Sequence, residues 1–531
     1  MPRKLFLLLL LVHAVISLSA QQKKAVSVDI IHADSTILQF NENMTRSLGN
    51  VVLYCRDENM RIWCDSLYKY DLPDSNYIEA FGHVKVIQND TIQINSDYMH
   101  YDANNKKAKL RHNVKLQDPS STLTTHFLDY DGVFKFGRYF YGGRIVDELN
   151  TLDSKEGTYF TESKVAIFRD SVVVDAPRYL IHSDTLRYNT FSKMVSIIGP
   201  TYTYNKENNS SVYSEDGWYN TIIGHSELYK NNYIKHLQYT TYADSIVMDS
   251  ISQQATLTRN VVIIDTANHV IVRGEYGKSD QTNNYSYVTK KALMILISNG
   301  QDSTFVHSDT LFVNQDSLEN SVIRAYYKTR FFSQDLQGLC DSMVYLTADS
   351  TITLYGDPVV WASGNQLTGD IISLLTGDNT VKEFYLNTNA MMIAQKWDTE
   401  MFDQIKGRNI TGYFRENELY RIFVDGNGEI CYFPDDNGQI IGVNTTTSPT
   451  IAILISQRKV TDIKFYGKTD GQLSPLLIVP PTKARLKGFR WLDYLRPVDK
   501  DDIFNYRTFR EENEPKSEED KKEHETEENQ L

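Results

Sequence analysis

The feature that most constrains this sequence is a strand–turn–strand unit that recurs along it. In residues 339–361, two runs of alternating apolar and polar side chains, marked by Met343 and Leu354, flank a polar turn. Residues 94–116 and 181–202 repeat the same pattern. Alternation of this kind is typical of β-strands with one buried face, so the chain reuses one β unit many times.

Each unit contains an anchor residue, usually acidic, followed by apolar residues at fixed distances. From Asp34 to Arg408 the anchors span 408 − 34 = 374 residues in twelve steps, a mean spacing of about 31. Such periods are typical of stacked architectures whose units bury their apolar faces on one another. Aromatic residues make up 12% of the chain, including 34 Tyr, which favours strands over helices. The sequence therefore predicts an all-β, repetitive antiparallel, solenoid-like stack.

The domain organisation follows from where this pattern begins, weakens and ends. The polar stretch 205–211 separates two blocks of repeats, hairpin signals follow at 425–428 and 436–438, and Pro480 and Pro481 end the pattern. We expect these segments: 1–20 signal peptide, 25–205 first repeat block, 206–396 second repeat block, 397–482 divergent β segment, 483–510 basic and aromatic segment, and 511–531 disordered acidic tail.

The N-terminus has the composition of a secretory signal peptide. Arg3 and Lys4 precede an apolar run over residues 5–18, and small residues ending at Ala20 provide a cleavage site. We therefore expect export and cleavage. The net charge is −13, of which ten acids and three lysines in 511–531 contribute −7. The repeat body is only mildly acidic, which argues against nucleic acid as a partner because neutralisation of phosphates requires a basic face.

No catalytic, cofactor or metal site is evident in the sequence. His182-Ser183-Asp184 has the residue types of a hydrolase triad, but on a strand its Ser points away from its His and Asp. Residues 425–429 (DGNGE) favour a hairpin turn over a calcium loop, and no Cys pair has zinc spacing. We expect a non-enzymatic protein without cofactor or metal.

The four cysteines allow two interpretations. Cys64 and Cys340 occupy the position before an anchor, where other units have Ser, so a small buried side chain explains them. A Cys55–Cys64 disulfide remains an alternative in an exported chain, whereas Cys431 has no evident partner.

Apolar residues two and thirteen positions after the anchors predict a continuous apolar interior. That interior is either a dry core or a groove able to hold acyl chains. The groove candidates are Leu67, Met99, Leu110, Leu186, Ile197, Trp218, Ile246, Leu257, Leu311, Val322, Met343, Leu354 and Ile372.

The sequence of the repeats resembles that of the OstA-like family. The resemblance rests on residues 340–370 (CDSMVYLTADSTITLYGDPVVWASGNQLTGD), 64–70 (CDSLYKY) and 183–188 (SDTLRY), and extends over about residues 25–395. This family comprises the β-jellyroll modules of lipopolysaccharide transport, including LptA, LptC and the periplasmic part of LptD. The resemblance implies a V-shaped stack of antiparallel strands, open along one side, whose interior shields acyl chains. The chain is far longer than a single LptA module.

The expected function follows from that resemblance. It implies a periplasmic, non-enzymatic bridge that carries lipopolysaccharide, or a related lipid A-containing glycolipid, toward the outer membrane. The resemblance also implies an association with that membrane. The implied partners are other transport jellyroll proteins, joined by edge-strand pairing, and an outer-membrane translocon. A structural or adhesive exported β-solenoid, or a β-helical carbohydrate-active enzyme, are the alternatives.

The two ends of the stack predict different contacts. The N-terminal strand, with Val26, Val28 and Ile30, has no charged block over it and is the expected assembly edge. Near the C-terminus, a basic and aromatic segment with Phe489, Trp491 and Tyr494 is expected either to cap the last repeat or to dock a partner or acidic headgroups.

Overall fold

The structure is a computed structural model. It describes residues 28–508, apart from 73–74, 148, 298–302, 316–320, 378–379, 398, 417, 437 and 458. The predicted signal peptide (1–20), Val26 and the acidic tail (511–531) lie outside the described residues.

The chain divides into two compact units, Met1–His236 and Leu237–Leu531. Unit 1 contains the strands β1 Val28–His32, β2 Ser35–Gln39, β3 Met44–Cys55, β4 Met60–Leu72, β5 Ser75–Gln88, β6 Ile92–Asp102, β7 Lys107–Gln117, β8 Ser121–Asp131, β9 Phe136–Tyr139, β10 Gly143–Asp147, β11 Thr151–Ser154, β12 Glu156–Phe160, β13 Val165–Asp175, β14 Tyr179–Asn189, β15 Met194–Asn205, β16 Ser211–Asn220, β17 His225–Lys230 and β18 Asn232–His236. Two 3₁₀ turns, Phe40–Glu42 and Arg56–Glu58, follow β2 and β3.

Unit 2 continues the same pattern. Its strands are β19 Tyr239–Ala243, β20 Ser245–Asp249, β21 Gln254–Asp265, β22 Val270–Asp280, β23 Tyr285–Leu296, β24 Thr304–Gln315, β25 Ser321–Phe332, β26 Leu336–Leu346, β27 Thr351–Tyr355, β28 Val359–Ala362, β29 Asn365–Thr368, β30 Ile371–Gly377, β31 Thr380–Gln395, β32 Phe402–Arg415, β33 Glu418–Tyr432, β34 Asp435–Asp436, β35 Gln439–Ile440, β36 Val443–Ser456, β37 Lys459–Tyr466 and β38 Asp470–Ser474. Three 3₁₀ turns follow, at Pro481–Lys483, Asp493–Leu495 and Asp502–Phe504.

Within each unit the strands pair antiparallel with their neighbours, which confirms the predicted all-β, repetitive antiparallel fold. The predicted boundary at 205/206 needs correction. Residues 206–210 form the turn of the β15–β16 hairpin, whose strands pair from Tyr204↔Ser211 onward, so the polar stretch is an ordinary turn within unit 1.

Most strands bend near their middle. Between β14 and β15 the pairing shifts from Ser183↔Thr201 to Leu186↔Ile197, and equivalent shifts recur in neighbouring pairs. The bend divides every layer into two halves: we call the half with Ser183 arm A and the half with Leu186 arm B. Where the bend breaks the strand completely, each half is a separate strand, as in β9 and β10. The two arms pack their inner faces together, so the core lies between them.

The anchor residues stabilise these bends. Asn50, in left-handed conformation, donates a side-chain hydrogen bond to Asp34 at 2.9 Å, and Asn113 donates to Asp97 at 2.7 Å. Asn tolerates positive φ, so it suits a bend that requires it. The hairpin turn predicted at 425–428 is therefore wrong: β33 runs through these residues, and Gly426 and Asn427 supply the positive φ of its bend.

The residue before the anchor faces inward at the bend, where space is narrow. Cys64, Ser96, Ser183, Ser308 and Cys340 are all buried there. All four cysteines are free, which favours the small-side-chain interpretation over a Cys55–Cys64 disulfide.

Candidate functional site

An unbroken row of inward-facing side chains runs along arm B of each unit, which we call row B. In unit 1 the register aligns Leu67, Ala80, Met99, Leu110, Leu128, Tyr139, Gly157, Phe168, Leu186, Ile197, Gly217 and Leu228. In unit 2 it aligns Ile246, Leu257, Gly277, Val288, Leu311, Ala325, Met343, Leu354, Ile372, Leu386, Ile410, Val424 and Ile451. Eleven of the thirteen groove candidates therefore lie in row B.

The other two candidates face outward and require correction. Trp218 pairs with Ser196, next to the inward Ile197–Gly217 pair, and donates its indole N–H to Tyr229. Val322 pairs with Asn314, whereas the inward position of that layer belongs to Ala325. The anchor of Trp218 was assigned one residue out of register, which moves a side chain to the opposite face of its strand. For Val322 the fixed spacing fails, because the inward Leu311 and Ala325 are 325 − 311 = 14 residues apart. The same two positions, Met343 and Leu354, are 354 − 343 = 11 residues apart.

Arm A contains a second row of inward-facing positions, which we call row A and which was not predicted from the sequence. In unit 1 it contains Leu53, Ile62, Val86, Ile94, Leu116, Leu123, Ile145, Leu152, Val174, Ile181, Thr203, Val212 and Ile234. In unit 2 it contains Ile263, Val272, Met294, Val306, Phe331, Gly338, Val360, Leu367, Met392, Ile405 and Ile430. The signal was an apolar residue three positions before the anchor, as in Ile94, Ile181 and Val306.

Row A of unit 1 is closed at one end and accessible further along. Leu53 and Ile62 are 0% exposed. From Ile94 to Ile181, the same position is only half-buried in successive layers. These side chains contact the core below them but leave apolar surface accessible between the arms. Unit 1 therefore has an apolar groove from β6 to β14.

A contact across the mouth covers this closed end. Lys106, in the turn after β6, lies 3.6 Å from Glu58, in the turn after β3, so residues from the two arms meet above the core. The buried Tyr101 hydroxyl lies beside them. Burial raises the pKa of Tyr101, and the negative charge of Glu58 raises it further. These three side chains form a lid over the first layers of the groove.

The interior of unit 2 is more completely filled. Met294, Val306, Val360 and Leu367 of row A are all buried. A small recess between the arms is lined by Leu367 and Met392 on arm A and by Phe384, Phe414 and Leu419 on arm B. It is apolar, and it lies in the same interior as the two rows.

The C-terminal segment 475–508, which we call the strap, crosses the outer face of arm A in unit 2. Gln404 donates its side-chain amide to the Ala484 carbonyl at 2.9 Å and accepts the Leu486 N–H at 2.7 Å. Gln366 does the same with Arg490 and Leu492, both at 2.7 Å. Each buried Gln thus satisfies one backbone donor and one acceptor of the strap.

The strap then continues toward earlier strands. Gln337 accepts hydrogen bonds from the Arg496 guanidinium at 2.7 and 2.9 Å, and Arg330 donates to the Asn505 carbonyl. Phe504 finally packs on the His307 ring at a centroid distance of 4.4 Å. The strap therefore runs antiparallel to the order of the layers, from β33 back to β24.

The aromatic residues of the strap lie on the outer face of arm A. Phe489 and Trp491 contact Phe402, with ring centroids 5.2 and 5.1 Å apart, and Tyr494 is exposed. Beneath the strap, Cys431 is buried against the Ala484 carbonyl, and burial raises the pKa of its thiol to about 11. We expected this segment either to cap the last repeat or to dock a partner or acidic headgroups. In the structure it packs on the outer face of arm A, which is itself apolar in this unit.

The predicted assembly edge lies at β1. Val28 and Ile30 pair with Cys55 and Leu53 of β3, and β1 has no other strand partner among the described residues. Its outer edge is therefore open for a further strand.

The described residues contain no cluster of three or more potential metal ligands. Inside the bend, the Ser183 hydroxyl donates to the Thr185 carbonyl and lies 2.7 Å from the Thr201 hydroxyl, while His182 and Asp184 are exposed. The triad residues therefore do not meet in this unit. In the described part of the chain, no helix has the length and apolarity needed to cross a membrane.

The family model described as OstA-like protein matches residues 23–184. No curated protein matches the chain. Among solved structures, the chain is similar to LptH of Pseudomonas aeruginosa, described as the LptA-homologous periplasmic component of the lipopolysaccharide transport device, with 16% identity over 27% of this chain and 96% of that one, and a TM-score of 0.22. The predicted resemblance is thus confirmed, and residues 23–184 carry an OstA-like segment.

Proposed function

We propose that this protein is a periplasmic, non-enzymatic carrier that holds the acyl chains of lipopolysaccharide or a related glycolipid between its two arms. The observation that carries the proposal is the apolar groove of unit 1, where rows A and B face each other and row A is half-buried from Ile94 to Ile181. The OstA-like match over residues 23–184 includes this whole region.

The groove suits movement of a lipid along the protein. Burial of each methylene group is favourable by about 0.8 kcal/mol, and this holds equally at every layer because the lining repeats. A chain could therefore pass between equivalent layers without a large change in free energy. No residue performs chemistry in this mechanism, so the direction would come from a partner.

In this proposal the ends of the protein contact other components of the transport system. The open edge of β1 would pair with another transport jellyroll protein by strand addition, and an outer-membrane translocon would receive the lipid. Export to the periplasm relies on the signal peptide expected at residues 1–20.

Photo-crosslinking tests the groove with matched neighbours. A crosslinker at Leu123 or Ile181 faces the groove, whereas one at the adjacent Thr124 or His182 faces outward. We expect labelled lipopolysaccharide to be captured at the first pair of sites only. Equal capture at both pairs would favour the structural or adhesive β-solenoid and contradict the carrier.

A further inference from the structure

The turns that end arm B in unit 1 form a continuous rim. Their residues are 103–106, 132–135, 161–164, 190–193 and 221–224. The Lys106 carbonyl accepts the Gly132 N–H, Lys135 accepts from Thr161, Lys164 from Thr190 and Lys193 from Thr221, at 2.8–3.0 Å. Each turn is thus joined to the next, and two strand spacings place them about 10 Å apart.

Four of these turns end in lysine. Lys106, Lys135, Lys164 and Lys193 all have φ between 53° and 59°, a left-handed conformation that costs free energy for a lysine. The fifth turn has Gly224 at this position, which adopts positive φ without that cost. Turn geometry alone therefore does not account for a column of lysines.

The lysines of the central turns are available for binding. Lys135 and Lys164 are exposed and have no ion pair among the described residues. Lys106 instead contacts Glu58 in the lid. Glu162 is the one acidic residue among positions 132–135, 161–164, 190–193 and 221–224, so the rim is positively charged.

Apolar side chains project from the same turns. Phe134 is 73% exposed and Phe191 is 85% exposed, and Val133, Ile222 and Ile223 are also exposed. They contribute little to the core. Exposed apolar side chains next to lysines are the combination that binds the interface of an anionic membrane, because the apolar groups enter the acyl boundary and the lysines contact the headgroups.

We propose that this rim docks unit 1 on an anionic lipid bilayer surface. The rim borders the groove of β6–β14, so docking would bring the groove mouth next to the membrane and give a lipid a short path between them. The inference rests on the proposed function for its purpose, but the binding of a bilayer can be measured without it.

The test is flotation of the chain from Gln21 onward with vesicles. We expect binding to phosphatidylglycerol–phosphatidylethanolamine vesicles at low salt, weaker binding at high salt, and little binding to phosphatidylcholine vesicles. Lys135→Asn/Lys164→Asn should weaken binding by at least about tenfold. Asn suits the left-handed position, so these variants should keep their thermal stability.

Matched variants complete the experiment. Phe134→Ser/Phe191→Ser should also weaken vesicle binding. Leu149→Ser, which changes a side chain that is 72% exposed on the opposite rim, should not. Lys109→Gln/Lys115→Gln, on β7, removes the same charge away from the rim and should leave binding unchanged.

Three outcomes would overturn the proposal: no binding of the unsubstituted chain to anionic vesicles, equal binding by the rim and control variants, or loss of lipopolysaccharide capture together with vesicle binding. The last would assign the lysines to the headgroup of the carried glycolipid. If vesicle binding depends on the rim while Leu123 captures no lipopolysaccharide, the docking surface stands and the carrier function fails.

Discussion

The attachment of the strap can be tested at Gln366, which is 1% exposed beneath it. Gln366→Leu keeps the approximate size of the side chain but removes both of its hydrogen bonds, to the Arg490 carbonyl and from the Leu492 N–H. In the docked strap the N–H of Leu492, a buried residue, would then have lost its partner. We expect the strap to open locally rather than the whole unit to unfold.

The magnitude follows from this amide. A buried polar group left without a partner costs about 1–3 kcal/mol. Since 1.4 kcal/mol corresponds to a factor of ten, the opening equilibrium of the strap should rise by about fivefold or more. The pairing of β29 with β28 and β31 does not involve the side chain and should persist.

Hydrogen exchange measures this directly. In Gln366→Leu, the amides of residues 484–496 should exchange faster. The exchange of amides in the arm B half of β31 should not change. Gln472→Leu, an exposed position on β38, is the control and should behave like the unsubstituted protein. Unchanged exchange at 484–496 in Gln366→Leu would refute the assignment of this glutamine as an attachment point.

Further predictions concern the strap end, the core, the edge and the tail. Burial lowers the pKa of His307 below its value in the unfolded chain, so protonation favours the open state of the strap. The contact between His307 and Phe504 should therefore weaken as the pH falls below about 6.5. Tryptic digestion between pH 7.5 and 5.5 should detect this pH dependence, and His307→Phe should remove it. Gly157→Ala would place a Cβ 2.2 Å from the Tyr139 ring, and denaturant unfolding should show a loss of about 1–3 kcal/mol. Val28→Pro should abolish pairing with a jellyroll partner in a pull-down while the layers from β4 onward stay folded, and unchanged affinity would exclude this edge. Deletion of 511–531 should leave the thermal midpoint unchanged, because no periodic apolar residue is removed; a drop of many degrees would contradict this.

The repeat could be recognised because every layer faces the same physical requirement. An alternation with period two, interrupted by a small residue and an acid, is sufficient to place Leu186 and Met343 inward. Trp218 was misplaced because either of two adjacent acids near the bend can be taken as the anchor, and an error of one residue inverts the face. Val322 was misplaced because its layer has three more residues between the two inward positions than the layer of Met343 and Leu354.

Other features of the structure have no recognisable pattern in the neighbouring sequence. Gln337, Gln366 and Gln404 are separated in sequence by tens of residues, and nothing in their neighbours indicates that they meet one segment of the C-terminus. The bend at Gly426-Asn427 has the composition of a hairpin turn, and only its pairing with both adjacent strands distinguishes the two. Such features depend on contacts between distant residues.

The strap also has a consequence for how the chain is made. Arg330 and Asn505 are 175 residues apart, whereas neighbouring layers are joined by short turns. During synthesis, each layer can pair as soon as it emerges, but Leu339, Trp361 and Met391 stay exposed on the outer face until the last residues are available. A chain truncated before residue 475 should therefore keep these apolar side chains exposed and aggregate, even though every described strand is present.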